Sequence, residues 1–112
     1  MRISIGTDIV YIPKMRKLME NDAFIRKVFH SSEFTGSTAE HIAGIFAAKE
    51  AFFKAINRKP DWLKVEIKSK KSGRPALETA DELKDKFTDI DVSISHEKDY
   101  AIATVLVTNK ER

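Results

Sequence analysis

The sequence predicts an α+β fold in which one long helix packs on an antiparallel sheet, in the order β-α-α-α-β-β-α-β-β. Three observations predict it. Ile42 to Ile56, IAGIFAAKEAFFKAI, carries large apolar residues on one side and small ones on the other at about 100° per residue, the mark of a helix packed on both faces. Residues 2–10 alternate around Ile3, Ile5 and Thr7, as a strand does. Residues 90–97 and 100–107 read together as a terminal hairpin.

The length of 112 residues fits one domain spanning 1–112, long enough to bury a core with little to spare. With 42% apolar and 33% charged residues, the chain reads as a soluble globular protein. It has no cysteine, which removes disulfide frameworks and thiolate metal sites. No segment approaches a membrane span and no signal-peptide pattern precedes the first strand, so a cytoplasmic protein without a membrane partner is expected. The formal charge of +3 is unevenly spread. Lys14, Arg16, Lys17, Arg26 and Lys27 load the first quarter; Lys64, Lys68, Lys70, Lys71 and Arg74 load the middle. Such faces suit an acidic partner or a phosphate, although a merely solvated surface is the plainer reading.

In the first strand, Gly6 marks a bulge or a close approach of backbones. Asp8 is a carboxylate in an otherwise apolar run; its plain reading is a turn or cap before a helix that Pro13 could begin. Lys14 to Met19 and Ala23 to Phe29 read as short helices with basic outer faces, and Ser31 to Gly36 as a turn or single helical turn. Ser37 and Glu40 have the spacing of a capping box that would start the long helix. Within that helix Lys49 projects from the large apolar arc, and Glu50 and Lys54 share its border. A buried charge is costly without a partner, so each should find one. The modest reading of Glu50 and Lys54 is an exposed i,i+4 pair contributing roughly 0.2–0.5 kcal/mol.

Asn57 to Pro60 is a basic loop closed by a helix-stopping proline. Residues 63–68 alternate as a strand, with Pro75 to Glu78 as hairpin partner. Thr79 and Glu82 repeat the capping-box spacing before a helix to about Phe87. The run 100–107, YAIATVLV, is apolar on both faces, more than one small domain can hide, which implies self-association.

Two stretches together resemble the phosphopantetheinyl transferases, most closely the small single-domain holo-(acyl-carrier-protein) synthases. Ile5-Gly6-Thr7-Asp8-Ile9-Val10 is similar to the family's glycine-x-aspartate strand. Phe46 to Lys54, FAAKEAFFK, is similar to its F-x-x-K-E-A-x-x-K helix. Ser72-Gly73-Arg74-Pro75 and the terminal Ser93 to Ala101 follow in the family's order, so the likeness covers nearly the whole chain.

The resemblance implies that coenzyme A donates its phosphopantetheine arm to a serine of an apo acyl carrier protein, with 3′,5′-ADP leaving. It makes Asp8, Glu50 and Lys54 the catalytic set. Asp8 and Glu50 would be oxygen ligands for Mg²⁺, and Lys54 a contact to phosphate. Glu50, or a metal-bound water, would accept the serine proton. Lys49 would pair with a carboxylate near the metal. Gly73, Pro75 and His96 match residues that approach coenzyme A, the hairpin with Gly73 and Pro75 coming from a neighbouring subunit of a homotrimer. His30 and His41 read as ordinary hydrogen-bonded histidines. Lys14 and Lys27 match basic positions facing the carrier protein. Ile45 departs from the family, standing where members usually carry arginine, and Asn57-Arg58-Lys59 replaces a glycine-rich loop.

Other classes fit less well. A basic oligomeric module binding nucleic acid or an acidic protein would explain Lys64 to Arg74, but not Asp8 and Glu50 in apolar surroundings. It would also lack the aromatic platform on which single strands stack, so no nucleic-acid partner is expected. A family member that had lost activity would not be expected to keep Asp8, Glu50 and Lys54, though Ile45 is the residue that reading would cite.

Overall fold

The computed structural model describes residues 1–109. Strand β1 (Arg2–Tyr11) pairs antiparallel with β5 (Tyr100–Asn109), and β5 pairs on its other side with β4 (Phe87–Glu97), giving the sheet order β1-β5-β4. Helix α4 (Ala39–Ala55) lies across one face of this sheet and touches all three strands. Alternation decides which face is covered: Gly6, Val10, Ala101, Ala103, Val105 and Val107 are buried beneath α4 or its neighbours. Their alternates Ile3, Ile5, Ile9, Ile102 and Leu106 point outward, Ile5 being 67% exposed.

Between β1 and α4 the chain forms α1 (Ile12–Leu18), α2 (Asp22–Val28) and the single turn α3 (Ser31–Phe34). Pro13 sits in the first turn of α1, where its missing N–H costs nothing. Asn21 caps α2 by accepting from Phe24 N at 3.1 Å. After α4, a 3₁₀ turn (Trp62–Lys64) leads into the separate hairpin β2 (Val65–Ser69) and β3 (Pro75–Thr79), and α5 (Asp81–Lys84) leads into β4. Among the described residues no helix is long and apolar enough to cross a membrane.

The predicted α+β class and element order hold. Gly6 is a close approach and not a bulge: the β1–β5 register runs unbroken from Arg2 to Tyr11. A Cβ on Gly6 would stand 1.9 Å from the Ala51 carbonyl oxygen, so strand and helix cross backbone to backbone. Both predicted capping boxes fail. Helix α4 begins at Ala39 and is capped by Thr38, whose hydroxyl accepts from His41 N at 3.2 Å. The Ser37 hydroxyl is already committed, donating to the Glu33 carbonyl at 2.9 Å. Thr79 is held in the β3 ladder opposite Val65, leaving Ala80 as the cap of a helix that ends at Lys84, well short of Phe87.

Candidate active site

Asp8 is in strand, not in the turn or cap that its position also allowed. On the same face of β1 as Gly6 and Val10, it points beneath α4, where Glu50 and Lys54 come down on it. Lys54 Nζ donates to Asp8 Oδ1 at 3.3 Å and to the Thr7 carbonyl at 3.1 Å, so it bridges to β1 instead of forming a simple surface pair with Glu50. The other Asp8 oxygen, Oδ2, is buried and accepts no hydrogen bond. Glu50 is half-buried beside it. Once protonated, Glu50 can share its proton with Asp8; that sharing, then burial, then the Asp8 charge push the Glu50 pKa up to about 7, against the opposing charges of Lys54 and Lys14.

Two carboxyl groups crowded together, one with an unsatisfied buried oxygen, present hard oxygen donors suited to a cation. Among the described residues no cluster of three or more histidine, aspartate and glutamate side chains forms. Two oxygen ligands are nevertheless what Mg²⁺ takes from a protein when water and phosphate fill the remaining octahedral positions. The donor set therefore fits that ion.

Gly73, Pro75 and His96 come together elsewhere, around a cleft of about 160 Å³ between the hairpin β2–β3, the first half of α4 and β4. Ile45 and Ile67 supply apolar wall. His96 Nε2 donates to the Glu40 carbonyl at 2.9 Å. Gly44 lets this contact form, since a Cβ there would stand 3.1 Å from His96 Nε2. Asp8 lies on β1 and His96 on β4, with β5 between them, about 10 Å across two strand spacings. One chain thus presents the site residues as two groups on opposite edges of its sheet.

The expectation for Lys49 needs correcting. Its partner carboxylate is Glu33 on α3, at 2.6 Å, with both side chains fully buried, and not Asp8 or a neighbour of it. Lys49 Nζ also donates to the Val28 carbonyl at 2.7 Å and the Trp62 carbonyl at 3.2 Å, which uses all three ammonium protons. Burial pushes the Lys49 pKa below the usual lysine range, and Glu33 pulls part of it back. Glu33 is a residue that sequence reasoning missed. The signal was available, because a lysine inside an apolar arc demands a buried carboxylate.

Lys14 on α1 and Lys27 on α2 are exposed, as the resemblance implies. Arg16 is tied to Glu40 at 2.9 Å and contributes less to that face. The Lys14 charge reaches Glu50, so the basic face borders the carboxyl pair.

The sequence pattern of the 4′-phosphopantetheinyl transferase superfamily matches residues 4–105. The chain belongs to that superfamily. This transferase is 32% identical to a holo-[acyl-carrier-protein] synthase of Bacillus cereus (strain G9842), with all of both chains covered. It is 33% identical to the corresponding synthase of Thermodesulfovibrio yellowstonii over 93% of this chain and 96% of the relative. The structure of Helicobacter pylori holo-[acyl-carrier-protein] synthase in complex with coenzyme A superposes with a TM-score of 0.87 and 30% identity, covering 93% of this chain and 99% of that one. A Bacillus anthracis synthase in complex with coenzyme A (3′,5′-ADP) gives 0.81 and 29%, with 96% of each chain covered.

Proposed function

We propose that this transferase is a holo-[acyl-carrier-protein] synthase, moving the 4′-phosphopantetheine arm of coenzyme A onto a serine of an apo acyl carrier protein. The observation that carries the reading is the Asp8–Glu50 carboxyl pair, with its orphaned Asp8 Oδ2, set beside the Lys54 ammonium. In the reaction the serine oxygen attacks the β-phosphorus of coenzyme A. A new P–O bond forms as the bond to 3′,5′-ADP breaks. Mg²⁺ held by Asp8 and Glu50 would neutralise charge on the pyrophosphate. Lys54 binds and orients a phosphate oxygen as a point charge. Glu50 would take the serine proton.

Gly73, Pro75 and His96 belong to the nucleotide end of the donor in this reading. Because they sit on the sheet edge opposite Asp8, a complete site is formed by one chain's carboxyl pair and a neighbour's cleft. The exposed outer face of β1 and β5, with Ile3, Ile5, Ile9, Ile102 and Leu106, is the surface on which a homotrimer would close. Lys14 and Lys27 would dock the acidic carrier next to Glu50. Residues 1–112 would act as one domain in the cytoplasm. The test is to incubate the protein with coenzyme A, Mg²⁺ and apo carrier protein and to weigh the carrier. The mass of one added phosphopantetheine arm, lost on chelation of the metal, is the expected result; an unmodified carrier overturns the reading.

A further inference from the structure

One ionic network runs from the helix that carries Glu50 to the wall of the cleft that holds His96. Lys49, the residue before Glu50, meets Glu33 Oε1 at 2.6 Å. That oxygen also accepts from His30 N at 2.9 Å. The second oxygen, Glu33 Oε2, accepts from the buried amide of Ile67 at 2.8 Å. Ile67 lies on β2 and lines the cleft together with Gly73, Pro75 and His96. The hairpin β2–β3 shares no strand pairing with the main sheet, so its placement rests on the packing of Val65, Ile67 and Leu77 in the core and on polar ties. Its tip is held by an exposed pair, Arg74 to Asp91 at 3.0 Å, of the kind that contributes little. Its base is held by His30 Nε2, which donates to the Val65 carbonyl at 3.2 Å, and by Glu33, in a network whose lysine protons and carboxylate oxygens are all bonded, the condition under which a buried polar cluster becomes rigid.

We propose that Glu33 is a positioning residue for coenzyme A, fixing the β2 wall of the cleft relative to α4 while touching no substrate. This rests on the reading of that cleft as the nucleotide site. The discriminating variant is Glu33→Gln. Its single carbonyl goes to Lys49, because the bond to a charged group is the stronger. The amide NH₂ then confronts the Ile67 N–H, donor against donor, and the tether breaks while the helix side of the network stays. A second variant, Glu33→Met with Lys49→Met, removes both buried charges and leaves an apolar pair, an exchange that folds tolerate well.

Three measurements decide the matter: amide hydrogen exchange at Ile67, calorimetric Kd for coenzyme A, and Kd for apo carrier protein. In both variants the Ile67 amide is expected to exchange faster and coenzyme A to bind about tenfold more weakly. The carrier Kd should stay within about twofold. Unchanged coenzyme A affinity overturns the proposal, and so does an equal loss toward both partners, which would mean general loosening. If Glu33→Gln does not fold, the double variant decides alone. A wild-type chain that binds no coenzyme A overturns the reading of the cleft and this proposal with it. Wild-type binding that both variants share overturns the proposal only.

Discussion

Asp8 and Lys54 meet at 3.3 Å where β1 passes under α4, while the second Asp8 oxygen is buried with no donor to satisfy it. A structural ion pair would close both oxygens with donors, as Lys49 and Glu33 do in the same molecule. The contrast separates two ion pairs made by one helix, one with every oxygen bonded within the fold and one that leaves an Asp8 oxygen without a donor.

The first prediction follows from that difference. Asp8→Ala and Glu50→Ala each remove a cation ligand whose fold-internal bonds are few. Transfer should fall by on the order of 10²–10⁴-fold in each, with thermal stability unchanged or raised because the carboxyl crowding is relieved. Carrier mass spectrometry and a melting curve measure the two effects. Turnover undiminished after thorough chelation of the wild type would remove the metal from the account.

The second concerns pH without metal. Folded Glu50 holds its proton up to about 7, against 4.5 as its ordinary value. Between those values the folded state binds more protons than the unfolded one, so stability falls as pH rises and the loss is complete above about 7. Tm of the metal-free protein should decline from pH 5 to pH 7.5, Glu50→Gln should flatten the decline, and added Mg²⁺ should stabilise more at the upper end. A Tm that rises across that window in the wild type contradicts the sign.

The third tests the crossing that sets the site. In Gly6→Ala the new methyl would fall 1.9 Å from Ala51 O and 2.7 Å from Ala55 N, both backbone atoms that cannot turn aside. Strand and helix must part, costing about 3 kcal/mol or more. Residual folded protein should also lose transfer, since Asp8 moves with the strand. Denaturation showing a wild-type midpoint would place the contact elsewhere.

Most of this fold was legible because each period matched its element: the alternation of β1 and the two-sided helix α4 left little choice. Gly6 and Asp8, two apart, were readable as one inward face once β1 was a strand. Helix ends were misread at Ser37 and Thr79 because a capping box is a local spacing, and both side chains had tertiary or ladder partners that local spacing does not reveal. Lys49 in its apolar arc called for a buried carboxylate, but Glu33 itself sits in a single helical turn, SSEF, with nothing around it to mark which acid that would be. The separation of His96 from Asp8 needed the strand order, which sequence adjacency does not give.

The fourth prediction concerns assembly. Ile5 pairs with Leu106, and Ile9 with Ile102, across β1 and β5 on the outer face, and all four are exposed in one chain. If the wild type sediments as a trimer, Ile5→Lys with Leu106→Lys should give a folded monomer, with transfer lost if the carboxyl pair and the cleft act from different subunits. A fully active monomer, of either protein, rules out the shared site.

The last concerns recognition of the carrier. Lys14 and Lys27 are exposed, and Lys14 is close enough for its charge to act on Glu50, so a partner docked on this face delivers its serine beside the carboxyl pair. Exposed charges of this kind act chiefly through the rate of encounter and are screened by salt. Lys14→Glu with Lys27→Glu should therefore raise KM for the carrier about tenfold or more at low salt and flatten its salt dependence. KM for coenzyme A should stay nearly unchanged, because the proposed place for its nucleotide end is the cleft lined by His96, away from Lys14 and Lys27. The effect of Lys14 on Glu50 adds a second signature: losing that positive charge raises the Glu50 pKa further, so the decline of Tm with pH in the metal-free protein should extend to higher pH in Lys14→Glu. Steady-state kinetics at two ionic strengths, followed by a pH series of melting curves, separates the two effects. Equal losses toward both substrates, or none, would place the carrier on another face.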